Sequence, residues 1–160
     1  MKHSANVKIV VVFFFMTSLM AGGCTVRYVP DYDASIKEEI VQTAKKVDLF
    51  WGALLEMDST ERAYDKFKDQ YNEIETDLRG LVMKNEIRAL NEESAKQAQI
   101  ALDLWIEDKK LHKRNDRFSD FEAERHRKQY IRLFTAMAKG EEAKNISTVG
   151  SAANPEGANE

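Results

Sequence analysis

The chain has 160 residues, 32% of them charged, and its 24 basic and 27 acidic side chains give a formal net charge of −3. This mild acidity argues against unspecific binding to nucleic acid or to anionic lipid. With only 7 glycines and 2 prolines, the composition favours long helices over sheet, in one domain of ~110 residues.

The N-terminal part of the chain contains an uncharged stretch of 13 residues, from Ile9 to Ala21. Two basic residues, Lys2 and Lys8, precede this stretch. A membrane-spanning helix needs about 20 residues, whereas the apolar core of a signal peptide needs roughly 7–15. The alternative is a short transmembrane anchor that is never cleaved, and both this length and the Gly-Gly-Cys that ends the stretch argue against it. We therefore expect residues 1–23 to be an export signal.

Residues 20–24, with the sequence Met-Ala-Gly-Gly-Cys, resemble the lipobox of bacterial lipoproteins, with Ala21 where leucine is more usual. The resemblance covers the first 24 residues. It implies that residues 1–23 are cut away and that Cys24 becomes a thioether-lipidated, acylated N-terminus. Thr25 replaces the Asp that usually signals retention in the inner membrane. The resemblance thus implies the periplasmic face of the outer membrane, or the cell membrane of a Gram-positive source.

Lipidation would commit Cys24, the single cysteine, so the mature chain would have no thiol for a disulfide. Cleavage would also remove Lys2 and Lys8 and no acid, which changes the net charge to −5. Residues 24–33 form the tether, which contains Pro30 and reaches at most about 30 Å. The covalent lipid is the only attached group that the sequence predicts.

The remainder predicts an all-α, elongated antiparallel bundle of about four helices over residues 34–57, 60–83, 86–113 and 119–139. Asp33 or Ser35 would cap the first helix. Its apolar stripe consists of Ile36, Ile40, Val47, Phe50, Leu54 and Met57, widened by Ala44, Trp51 and Leu55.

The second helix carries the most regular apolar seam of the chain, with six residues spaced alternately by three and four: Tyr64, Phe67, Tyr71, Ile74, Leu78 and Leu81. This heptad register predicts interdigitated packing against another helix. Asn85 fails the register, and the apolar row restarts in a shifted frame at Met83, Ile87 and Leu90. We interpret the slip as a turn near residues 83–86. The alternative is one helix over residues 60–113, roughly 80 Å long.

The third helix shows Ile87, Leu90, Ala98, Ala101 and Trp105 at buried positions. Ser119 and Glu122 then form a capping-box pattern for the fourth helix, whose predicted buried residues are Phe121, Tyr130, Leu133, Phe134 and Met137. Gly140 would end this helix. The domain would thus cover residues 34–140, and residues 141–160 would form a disordered tail.

The sequence predicts neither a catalytic nor a metal site. The bundle-type di-iron motif needs Glu three residues before His, but Lys109 precedes His112 and Ala123 precedes His126 at that spacing. Glu122 and His126 predict only an exposed pair on one helix face. We therefore expect a protein that is not an enzyme and holds no metal.

One polar region invites a binding hypothesis. Residues 122–129 contain only one apolar side chain, and His126 or Arg127 falls where a core residue is expected. Five basic residues lie next to it, namely Lys109, Lys110, Lys113, Arg114 and Arg117. Together with His126 and Arg127 they form a candidate contact for a partner or polyanion. The alternative is a solvated bundle end whose long side chains reach water.

These features predict a membrane-anchored, non-enzymatic helical module that holds or shields a protein partner in the bacterial envelope and does not bind nucleic acid. A second hypothesis is binding of an anionic envelope polymer such as peptidoglycan through residues 109–117. A third is carriage of an apolar ligand between Phe50, Trp51, Tyr71 and Trp105.

Overall fold

The computed structural model describes the backbone of residues 30–152 and the side chains of residues 30–145. This part of the chain forms four α-helices and no strand: α1 (Ala34–Glu56), α2 (Lys68–Glu86), α3 (Glu92–Asn115) and α4 (Asp120–Ala152). The predicted all-α bundle of four helices is confirmed. The predicted signal peptide, Cys24 and most of the tether lie outside the described residues. None of the described helices is both long and apolar enough to cross a membrane.

The helices run alternately up and down and pack in a closed ring. The most extensive contacts join α1 to α4 and α2 to α3, and smaller ones join α1 to α2 and α3 to α4. The start of α1 and the α2–α3 connection therefore share one end, here called the proximal end. The α1–α2 and α3–α4 connections share the other, here called the distal end.

Two helix starts form as their capping residues predict. The Asp33 carboxylate accepts hydrogen bonds from the backbone N–H groups of Ser35 at 2.8 Å and Ile36 at 3.3 Å. At α4, Ser119 N donates to the Glu122 carboxylate at 2.9 Å and Glu122 N donates to Ser119 Oγ at 3.3 Å. These bonds satisfy the amides that a helix start leaves unpaired.

The second helix starts later than predicted, at Lys68 instead of residue 60. Two short 3-10 turns, Ser59–Glu61 and Tyr64–Lys66, precede it. The buried guanidinium of Arg62 lies between them and donates to the carbonyl oxygens of Met57 at 2.7 Å and Phe118 at 3.0 Å. These bonds join the α1–α2 connection to the α3–α4 connection. The chain around Arg62 therefore forms turns, although the sequence pattern predicted a helix there.

The seam of the second helix is confirmed, because all six of its residues are buried. They pack around an aromatic cluster in which the Phe50 ring lies 4.5 Å from Tyr71 and 4.9 Å from Trp105, measured between centroids. The predicted stripe of α1 is also buried from Ile36 to Leu54.

The predicted shifted row is wrong, because Met83, Ile87 and Leu90 are exposed. The residue expected to fail the register, Asn85, is buried instead, and its amide donates to the Leu81 carbonyl oxygen at 2.7 Å. The helix consequently continues to Glu86. The turn lies at residues 87–91, and two separate helices replace the alternative of one long helix.

The predicted end of the fourth helix at Gly140 is wrong as well. The helix continues to Ala152, because Glu141 and Lys144 are buried and bonded inside the proximal end. The disordered tail is thus not found over residues 141–152, and residues 153–160 lie outside the described chain. Phe121 is exposed where burial was predicted. The residue before the cap, Phe118, is buried instead together with Ala123, the arrangement of a hydrophobic staple.

Candidate functional site

Two of the five predicted basic residues between Lys109 and Arg117 have carboxylate partners. Lys109 Nζ lies 2.8 Å from the Glu75 carboxylate and 2.7 Å from Asn72 Oδ1, and this contact lowers the pKa of Glu75. Lys110 Nζ lies 2.8 Å from the Glu107 carboxylate on its own helix. These two lysines are therefore already paired on the flanks of α3.

The remaining three cations, Lys113, Arg114 and Arg117, are exposed at the distal end, and we call them the distal basic tip. Among the residues that the structure describes, no carboxylate forms an ion pair with them. The nearby Asp116 carboxylate accepts from Tyr64 N at 2.9 Å, so it fixes the loop conformation instead. The tip thus presents three positive charges to solvent.

His126 is buried and does not form the predicted exposed pair with Glu122. Its ring stacks on Trp51 with centroids 5.1 Å apart, and its Nδ1 lies 3.1 Å from the Asp108 carboxylate. Tyr130 Oη donates to the same carboxylate at 2.9 Å. The polar side chain of His126 thus occupies a position where the helical spacing predicted a core residue.

The other histidine, His112, is also buried. Its Nε2 donates to the Arg62 carbonyl oxygen at 2.7 Å, so its Nδ1 is left to accept from Tyr71 Oη at 3.2 Å. Burial lowers the pKa of His112. Within the described part of the chain, no group of three or more His, Cys, Asp or Glu side chains is arranged to hold a metal ion.

An apolar groove of about 500 Å³ runs along the surface between α1 and α4. Its apolar lining comes from both helices and includes Val41, Ala44, Leu49, Ile131, Phe134 and Ala138. Leu49 and Ile131 are among the exposed large apolar residues of the described chain. The floor of the groove is continuous with the core, because the lining residues Val47, Tyr130 and Phe134 are buried.

A charged pair borders this groove towards the distal end. The Arg127 guanidinium holds the Asp48 carboxylate in two hydrogen bonds, at 2.6 Å and 2.9 Å, and they lower the pKa of Asp48. Arg127, predicted as part of the basic site, thus belongs to the groove instead. The seven predicted contact residues divide among the flanks of α3, the distal basic tip, the core and the groove.

The sequence pattern did not identify the groove, although it contains a signal for it. Val41 and Leu49 lie off the predicted core stripe of α1, and Ile131 lies off that of α4. Apolar side chains outside a core stripe on two helices that pack together indicate a shared surface. The four aromatic residues of the ligand-carrying hypothesis pack directly against one another, with Phe50 and Trp51 centroids 5.2 Å apart.

The chain matches no protein-family model, no curated protein and no solved structure.

Proposed function

We propose that this chain is a non-enzymatic, lipid-anchored module on the periplasmic face of the outer membrane, and that it holds an apolar helix of another envelope protein in the groove between α1 and α4. The groove carries the proposal, because a concave apolar surface between two packed helices has the shape that an amphipathic helix occupies when it binds. The lipobox supports the anchor, and the bundle supplies a rigid support for the groove.

The groove dimensions favour a short helical segment as the occupant. The lining positions on α1 run from Ile40 to Leu49, which spans about 14 Å at the α-helical rise. A partner helix of two to three turns with one apolar stripe would cover this length. The Asp48–Arg127 pair at the rim would orient its polar side.

Site-specific photo-crosslinking in intact cells tests this proposal. A photoreactive residue at position 49 is expected to give one discrete adduct with an envelope protein. Ile131→Glu should abolish the adduct, because Ile131 lies across the groove and a buried carboxylate would oppose docking.

Ile100 provides the matched control. It is 50% exposed, compared with 49% for Ile131, but it lies on α3 and does not line the groove. Ile100→Glu should leave the adduct from position 49 unchanged. An adduct that survives Ile131→Glu, or that Ile100→Glu removes equally, would contradict docking in the groove.

The distal basic tip supports a second candidate function, binding of an anionic envelope polymer such as peptidoglycan. Its three exposed cations would bind through charge, so added salt should weaken the binding steeply. Replacing Lys113, Arg114 and Arg117 with Gln should abolish sedimentation of the protein with isolated cell walls. Unchanged sedimentation would reject this function and leave the groove proposal intact.

A further inference from the structure

Three large apolar side chains are exposed close together in sequence at the proximal end. Met83 is 60% exposed, Ile87 78% and Leu90 47%. Met83 and Ile87 are one helical turn apart at the end of α2, and Leu90 follows in the α2–α3 connection. We call these three residues the proximal apolar patch. Exposed apolar side chains at one end of a protein are candidates for contact with a membrane or a partner.

The connection that carries the patch is fixed on both sides. Arg88 donates to the Glu141 carboxylate at 3.2 Å and to the Asp31 carbonyl oxygen. Asn91 Nδ2 donates to the backbone oxygen of Asn85 at 3.0 Å and to its side-chain oxygen at 2.8 Å. Residues 87–90 therefore have little freedom to fold back onto the core.

A buried polar network supports this connection from inside. The Lys144 ammonium donates to Asn91 Oδ1 at 2.7 Å, to Ser94 Oγ at 2.9 Å and to the Glu141 carboxylate. Leu90, which precedes Asn91 of this network, is in the left-handed region at φ 61°, which residues other than Gly, Asn and Asp adopt only with strain. A strained, fixed loop that exposes apolar side chains has the character of a preorganised contact surface.

The tether leaves the bundle beside this patch. Asp31 is held by Arg88, and Asp33 N donates to the Glu141 carboxylate at 3.0 Å. The seven steps from Cys24 to Asp31 span at most about 25 Å. A lipid on Cys24 would therefore keep the patch near the bilayer, whereas the distal end lies about 35 Å from the proximal end, the length of α1.

We infer that the proximal apolar patch is a membrane-contact surface that inserts Met83, Ile87 and Leu90 into the headgroup boundary. This inference rests on the proposed lipid anchor at Cys24. Nearby cations are already paired, Arg88 with Glu141 and Lys84 with Glu39. The contact is thus apolar, and it needs no anionic lipid.

Tryptophan quenching on vesicles tests the contact directly. The chain from Cys24 to Glu160 is coupled through its single thiol to a maleimide-headgroup lipid in phosphatidylcholine vesicles with brominated acyl chains. The native Trp51 and Trp105 are fully buried, so they give a background that the bromine does not reach. In Ile87→Trp, the added tryptophan should lose most of its emission and shift to shorter wavelength.

Phe121→Trp is the matched control, because Phe121 is 75% exposed but lies at the distal end. Its added tryptophan should keep its emission. Within Ile87→Trp, the further change Leu90→Asn should reduce quenching, since Asn accepts the left-handed backbone but removes the apolar side chain. Ile100→Asn, at similar exposure on α3, should not reduce it.

Equal emission from Ile87→Trp and Phe121→Trp, whether both are quenched or neither, would overturn the inference. Quenching that disappears at high salt would also overturn it, because it would indicate attraction by charge. Chemical coupling makes this result independent of whether a cell lipidates Cys24. The cellular anchor is tested separately, by mass spectrometry of the N-terminal peptide from membranes.

Discussion

The two ends of the bundle are closed by different chemistry. Towards the distal end, aromatic rings fill the space between the helices, as in the contact of Trp51 with Phe118 at 5.3 Å between centroids. The proximal end is closed by charged and amide side chains around Glu141, Lys144 and Asn91. The distal end also contains the buried Arg62, but aromatic rings make up most of its core.

The two ends differ in how strongly their side chains stabilise the fold and in how closely they fix the positions of neighbouring residues. Aromatic packing gains stability from buried area and tolerates small shifts of the rings. A buried ionic network contributes little net stability, because the lost hydration offsets the attraction, but each partner fixes the others. The distal region thus supplies stability, whereas the proximal network sets the position of the connection that carries the proximal apolar patch.

The largest effect is expected from Trp105→Ala, in the aromatic region. Trp105 is fully buried and its Nε1 donates to the Tyr71 carbonyl oxygen at 3.0 Å. Its removal should lower the free energy of unfolding by about 3–5 kcal/mol, measured by urea unfolding. The exposed Phe121→Ala should change it by less than about 0.5 kcal/mol. Similar losses for both would mean that the rings do not carry the stability.

The next largest effect is expected from Glu141→Ala, in the proximal network. It leaves Lys144 without its buried carboxylate and should lower the free energy of unfolding by about 3 kcal/mol. Amide hydrogen exchange should accelerate first at residues 87–91. The neighbouring Glu142→Ala removes only the partly exposed pair with Lys37, for which we expect at most about 1 kcal/mol. Equal losses would contradict a special role of the buried network.

Acid should weaken the aromatic region through His112. Burial holds the pKa of His112 below its ordinary value, so the unfolded chain binds a proton first as the pH falls. Stability should therefore be complete above about pH 6.5 and decrease below it, by at most ~1.4 kcal/mol per pH unit. Urea unfolding of His112→Gln should show a flatter dependence between about pH 5 and 6.5. Parallel curves for the two proteins would contradict this assignment.

The smallest effect is expected from Gly140→Ala, next to the proximal network. The nearest atom to an added Cβ is Gln97 Oε1 at 3.8 Å, and no described glycine has a positive φ. Because alanine favours a helix interior, the change should stabilise the protein by about 1 kcal/mol in thermal unfolding. Destabilisation would instead favour a helix that ends at Gly140.

The sequence predicts the distal region well because its determinants are apolar and periodic. The six-residue seam of the second helix and the capping box at Ser119 are local patterns, and the structure contains both. The exceptions are the start of α2 at Lys68, the exposed Phe121 and the buried His126. The start of α2 depends on Arg62, a buried cation whose bonds to Met57 and Phe118 join distant segments.

The proximal end could not be predicted, because its buried residues are ones that normally face water. Asn85, Asn91, Glu141 and Lys144 are buried because their polar atoms bond one another: Asn91 bonds Asn85 and Lys144, and Lys144 bonds Glu141. Apolar periodicity instead favoured burial of Ile87 and Leu90. For the same reason the sequence did not predict the burial of His126, a residue of the predicted contact site. His126 is buried because it pairs with Asp108 on α3.

The packing of α1 on α4 also governs how the chain can fold as it is made. α2 and α3 are adjacent in sequence and can pair early, but Trp51 meets Tyr130 only after nearly 80 further residues have been synthesised. At about 5–20 residues per second this delay is roughly 4–16 s. Phe50 can pack on Tyr71 and Trp105 before α4 is made, but the face of the first helix that packs on α4 has no native cover throughout that interval. That face is the surface on which a chaperone would act during synthesis.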